Sequence, residues 1–134
     1  MPLFMWRPSY ETGIPEIDHD HRELVGIINE LYEGIKEGQG REAVNQSIDR
    51  LLDYVNRHFQ TEESFMRVSA YPRQEAHEQE HRLLQQKVAE MERLRRAGHP
   101  QSAVDLLTFL CDWLRDHVVT VDKELGRFLK RAGQ

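Results

Sequence analysis

Cysteine is nearly missing from this 134-residue chain, which has only Cys111. That excludes an intrachain disulfide framework and a thiolate-built zinc site, and it fits a reducing compartment. Long apolar runs are missing too. None approaches the roughly 20 residues of a membrane span, and the N-terminus lacks the basic-then-apolar pattern of a secretory signal. A cytoplasmic location is therefore expected. Lys and Arg total 18 against 23 Asp and Glu, a net charge of −5, and no basic stretch stands out. Nucleic acid and membrane insertion are not expected. Strand signals are almost absent. Proline is sparse, and three of the five fall within residues 1–17, which reads as an irregular arm with Trp6 as a packing anchor. The length suits one domain, 1–134, with its own core. What the chain does have is histidine, seven in all.

Punctuation divides residues 18–131 into four long periodic segments. Asp18 or Asp20 can cap the first, and Asp20 with Glu23 forms a capping-box pattern. Leu24, Ile28, Leu31 and Ile35 keep a helical period up to Gly38-Gln39-Gly40. Val44, Ile48, Leu51 and Val55 mark a second helix running to about Met66. Pro72 suits the first residue of a third, whose stripe is Leu84, Val88, Met91 and Leu94, ending at Gly98-His99-Pro100. Ser102 with Asp105 is a start signal for the fourth, with Val104, Leu107, Leu110 and Leu114 on one face. Val118-Val119-Thr120-Val121 makes a poor helix interior, and Asp122 to Lys130 reads as a short final helix. Short loops between long helices favour antiparallel neighbours. The expected fold is all-α: an up-down-up-down four-helix bundle with an N-terminal arm and a short C-terminal helix.

The histidines then fall into register. His21 and His58 lie about 18 residues from the Gly38–Gly40 turn, and His81 and His117 about 17 from the Gly98–Pro100 turn. At 1.5 Å per residue all four sit roughly 26 Å from that end of the bundle. His77 is one turn from His81. Each extends its helix's apolar stripe, so the imidazoles point inward. A single histidine on such a stripe is usually a hydrogen-bonded core residue. Five at one level would need five buried partners, or would repel one another if charged, and a metal resolves both problems. Glu62 is four residues from His58 on the same face. Asp122 follows His117 by five residues, about 140° away on a regular helix, so the β-branched run must loosen for it to join. Seven inward ligands exceed one tetrahedral zinc and suit two six-coordinate metals.

The motifs His21 in Asp18-His19-Asp20-His21-Arg22, His58-Phe59-Gln60-Thr61-Glu62-Glu63, His77-Glu78-Gln79-Glu80-His81 and His117-Val118-Val119-Thr120-Val121-Asp122 resemble, in order and spacing, those of bacterial hemerythrins. These are non-haem di-iron oxygen-binding proteins, and the resemblance spans nearly the whole chain. It implies that His77, His81 and His117 bind one iron and His21 and His58 the other. Glu62 and Asp122 would bridge the pair together with a solvent-derived oxygen. It also implies one open coordination position, on the iron with two histidines, where O2 would enter. Leu24, Trp113, Leu114 and Val118 are the expected walls of an apolar O2 pocket. The family commonly has Gln just before its first ligand where this chain has Asp20. Asp20 could be a helix cap, an acceptor behind a ligand, or merely exposed. His19, two residues from His21, competes for the place of the first ligand.

The function so implied is reversible O2 binding for carriage, storage or delivery, rather than catalysis. O2 is the expected partner, with an oxygen-consuming enzyme as candidate recipient and a monomer as the expected state. Two alternatives remain: an O2, redox or iron sensor acting through a separate partner, and a di-iron oxidase or peroxidase built on Glu-x-x-His pairs. The second reading needs Glu16/His19 and Glu78/His81, leaves three inward histidines without a role, and requires Glu16 to leave the arm.

Overall fold

The computed structural model describes residues 3–133, and every regular element among them is helical. Met1, Pro2 and Gln134, the ends of the expected arm and domain, lie outside the described residues. Helix α1 spans Pro15–Lys36, α2 Gly40–Ser69, α3 Gln74–Arg96 and α4 Ala103–Trp113. The fourth continues without a break through a π-helical segment, Leu114–Val121, into α5, Asp122–Arg131. The short turns reverse the chain each time, giving the antiparallel four-helix bundle, with α1 packed on α2 and α4. Gly38 lets the first turn close because its φ of 74° is left-handed, a conformation that a side chain disfavours.

Two boundaries differ from expectation. Helix α1 starts at Pro15 instead of Asp18, because Pro at the first helical position has a preset φ and no N–H to leave unsatisfied. Asp18 and Asp20 therefore lie inside α1 and cap nothing in it. Asp18 instead caps the arm: its carboxylate accepts from Thr12 N at 2.7 Å, Thr12 Oγ1 at 2.8 Å and Gly13 N at 3.1 Å. The other difference is Pro72, which sits in the turn before α3 and not at its start. Ser102 caps α4 as expected, accepting from Asp105 N.

The stripes read from the sequence meet in one large apolar cluster running from Leu24 and Tyr54 to Leu31, Ile48, Val88 and Leu110, except that Leu94 stays outside it and Val104, in the first turn of α4, is 59% exposed. A smaller cluster lies beyond the histidine level, made of Ile14, Ile17, Met66, Tyr71, Leu125 and Leu129. The arm closes over α1. Phe4 and Asn29 exchange two hydrogen bonds of 2.8 Å, and Trp6 packs against the larger cluster beneath the Arg22 guanidinium.

Candidate metal centre

Between the two clusters lies a buried polar layer. His21, His58, Glu62, His77, His81, His117 and Asp122 are each no more than 2% exposed. So much ionisable surface in a dry interior is costly unless something neutralises it.

The π segment is what brings Asp122 into this layer. Its N–H donates to His117 O, five residues back, so each turn holds one residue more than in an α-helix. That widening turns the i, i+5 pair onto a common side, which a regular helix would not do. The β-branched run from Val118 to Val121 crowds an ordinary turn and favours the looser one.

The ring nitrogens then converge on two carboxylates. Glu62 Oε1 lies 2.9 Å from His81 Nε2 and 3.2 Å from His77 Nε2. Its Oε2 lies 3.2 Å from His58 Nε2 and 3.7 Å from His21 Nε2. Asp122 divides in the same way, with Oδ1 at 2.9 Å from His77 Nε2 and 3.1 Å from His117 Nε2, and Oδ2 at 2.8 Å from His21 Nε2. The seven side chains thus form two donor sets that share both carboxylates. One holds Glu62, His77, His81, His117 and Asp122, the other His21, His58, Glu62 and Asp122.

Three of the imidazoles are fixed from behind. His58 Nδ1 donates to Asp20, His81 Nδ1 to Glu63 and His117 Nδ1 to Glu80, each at 2.9 Å. An Nδ1–H given to a carboxylate leaves the lone pair on Nε2, pointed at carboxylate oxygens that also offer only lone pairs. Among the described residues His21 Nε2, His58 Nε2, His117 Nε2, Glu62 Oε2 and both Asp122 oxygens are buried without a hydrogen-bond donor or acceptor suited to them. Lone pairs facing lone pairs in a dry cavity call for cations, and an all-N,O set shared by two carboxylates suits a pair of them. The residues therefore fit a di-metal centre.

The electrostatics make the same point. Without a metal, burial pulls the imidazoles down, but Glu62, Asp122 and the carboxylates behind the rings outweigh it. His58 and His77 rise to about 10 and His117 to about 9. Burial pushes Glu62 and Asp122 up, as does Glu62's charge on Asp122, yet the surrounding imidazoles hold both well below the ordinary carboxylate range. Protons would then do what a metal does, which is to neutralise two buried carboxylates.

Aromatic rings press on the ligands. Tyr54 stacks on His58 with centroids 5.0 Å apart, Phe59 on His81 at 3.8 Å and Trp113 on His117 at 4.1 Å. Leu24, Leu114 and Val118 are buried in the larger cluster next to the layer. Asp20 is buried, but it serves His58 on the neighbouring helix and not His21 beside it. His19 is exposed and does not compete with His21. Glu16 is in α1, contrary to expectation, but both it and His19 are exposed, so they form no ligand pair.

Sequence reasoning missed Glu63, Glu80, Tyr54 and Phe59. Tyr54 had a signal, lying four residues before His58 on its stripe. Glu63 and Glu80 had none, because they reach rings on other helices.

Comparison with known proteins is consistent with this geometry. The Hemerythrin HHE cation binding domain matches residues 12–129. A bacteriohemerythrin of Stenotrophomonas maltophilia (strain R551-3) is 35% identical over 118 residues, 88% of this chain and 76% of that protein. One from Methylococcus capsulatus (strain ATCC 33009 / NCIMB 11132 / Bath) is 31% identical over 127 residues, 94% of this chain and 96% of that protein. A solved wild-type hemerythrin structure superposes with a TM-score of 0.84 at 30% identity, covering 95% of this chain and 98% of the other.

Proposed function

We propose that this chain, which belongs to the hemerythrin family of non-haem di-iron oxygen-binding proteins, binds O2 reversibly and serves to carry, store or deliver it. The observation that carries this reading is the division of each buried carboxylate between two donor sets. One oxygen of Glu62 and of Asp122 faces each set. Ligands placed this way would hold two metals side by side, each able to give one electron to the same small molecule.

The proposed holders are His77, His81 and His117 for one iron and His21 and His58 for the other, with Glu62 and Asp122 between them. Bound there, the iron pair supplies the two electrons that reversible O2 binding needs. The protein supplies orientation and dryness. Asp20, Glu63 and Glu80 fix three rings with Nε2 inward, and Tyr54, Phe59 and Trp113 hold the same rings in plane. The set with two imidazoles offers fewer donors than its neighbour, so we assign the O2 position to that side. Leu24, Leu114 and Val118 would wall it against water, with Trp113 steadying His117. Excluding water and protons there slows loss of bound oxygen and oxidation of the iron.

An optical spectrum of the iron-loaded, anaerobically reduced protein tests this. A charge-transfer band that appears with O2 and disappears under argon is expected. A band that decays to the oxidised centre would replace the carrier reading with an enzyme or a redox sensor. Protein that takes up no iron would remove the di-iron reading itself.

A further inference from the structure

Three of the ring nitrogens behind the centre end on carboxylates, but His21 Nδ1 and His77 Nδ1 do not, and both are buried without a hydrogen-bond partner among the described residues. Because His77 Nε2 is committed to Glu62 and Asp122, the polar atom left for the outer side of the ring is Nδ1. His77 also lines a cavity of about 40 Å³ together with Tyr71, Arg73, Ala76, Glu80 and Glu124.

Size and charge select the occupant. One water needs roughly 10–15 Å³ of such space and two to four polar partners, so the cavity takes one or a few waters and no organic molecule. Two carboxylates line it against one guanidinium, and Arg73 Nη1 is already paired to Glu124 Oε1 at 2.7 Å. That balance disfavours an anion. Glu80 gives Oε1 to His117 Nδ1, which leaves its second oxygen for another donor. The mouth is wet: the side chains of Glu80, Arg73 and Glu124 are 41%, 65% and 41% exposed.

We propose that this cavity is a hydration site in which a buried water accepts the His77 Nδ1–H, donates to Glu80, and links the three-histidine side of the centre to solvent beneath the Arg73–Glu124 pair. His77 and His117 then share one carboxylate, one directly and one through water. Solvent protons reach the centre on this side. On the other, the carboxylate behind His58 belongs to Asp20, whose side chain is only 8% exposed, and His21 Nδ1 is buried with no partner among the described residues.

A high-resolution crystal structure of the iron-loaded protein and of Ala76→Leu, which lays a larger side chain over the mouth, provides the test. The wild type should hold an ordered water within hydrogen-bonding distance of His77 Nδ1 and Glu80, and the variant should lose it. A dry cavity, a water that misses Nδ1, or a metal ion on Glu80 and Glu124 would each overturn the proposal. Deuterium exchange of the ring N–H protons, resolved by their metal-induced shifts, gives a second readout. His77 should exchange about tenfold faster than His58, as expected for a site with solvent access. Ala76→Leu should close that gap, and Arg73→Ala should widen it. Equal rates for the two rings, or rates indifferent to both variants, would overturn it. Iron content is measured separately and the same pair of crystal structures is compared without metal, so failure to load iron counts against the functional reading and leaves the crystallographic arm intact.

Discussion

On the side of the Gly38 and Gly98 turns, four helices bury nineteen apolar residues in one continuous cluster, whereas beyond the histidine layer the described residues bury six. The large cluster could hold a bundle by itself. The small one joins the arm, the ends of α1 and α2, and α5, and it is connected to the rest mainly by helices that run through a layer of titrating groups. Stability in such a molecule is graded. The small end should follow the state of the polar layer, and the large end should hardly notice it.

The strongest way to break this comparison is to make the same deletion at both ends. Leu110 and Leu125 are both fully buried. Leu110→Ala should lower global stability by about 2–5 kcal/mol, the usual range for a large-to-small change in a core. Leu125→Ala should cost less globally and instead raise hydrogen exchange in α5 and the arm. Urea midpoints that fall equally for both would show a single cooperative unit.

Removing the metal sharpens the comparison through pH. Without it, His58 and His77 titrate at about 10 and His117 at about 9, against about 6.5 in the unfolded chain. Groups raised in this way stabilise fully below about pH 6.5, and that contribution is lost as pH climbs towards 9–10. Glu62 and Asp122 are held low, so their contribution is present above about pH 4.5 and lost as pH falls. Metal-free protein should therefore be most stable between about pH 5 and 6.5. Metal uptake should strengthen with rising pH, because the ligands must be deprotonated. Thermal melts across pH, with exchange mapping, should find the alkaline loss first in α5 and around Tyr71.

Smaller changes refine the picture. A methyl at Gly126 would stand 2.5 Å from Thr12 O, where backbone meets backbone. Gly126→Ala should cost about 1–3 kcal/mol as overpacking, and it should loosen the arm without altering the metal layer's spectrum. At the opposite end, Ser102→Ala removes the α4 cap and should cost about 1 kcal/mol, read as a shift in melting temperature alone.

Much of this was legible in one dimension, because helical spacing is local. The stripes, the turns at Gly38 and Gly98, and the common level of the histidines all follow from counting residues along helices. Asp18 misled because an acid before an apolar run has the same appearance whether it caps its own helix or the segment folded back over it. Pro72 misled because proline suits both a turn and a helix start. Glu63 and Glu80 were invisible for a deeper reason: each acts on a ring of another helix, and no periodicity within one helix encodes a partner across a groove. The five-residue step from His117 to Asp122 lay between these cases. The sequence required some loosening there, and the form it took is a π turn.

That π segment sets how the chain tolerates changes in its own length. A wide turn is an α-helix carrying one surplus residue, so deleting one residue between His117 and Asp122 lets the helix relax to its regular winding. Everything after the cut then keeps its bearing, because a four-residue step on a regular helix also returns to the same side, so Asp122 and the Leu125–Leu129 face stay against their neighbours. An insertion in the Gly38–Gly40 turn only lengthens an exposed loop, at little entropic cost. Length changes should therefore accumulate freely at the turn end of this fold, whereas the eight residues before α5 can lose their one surplus residue but not gain another, which would turn everything after it by about 100°.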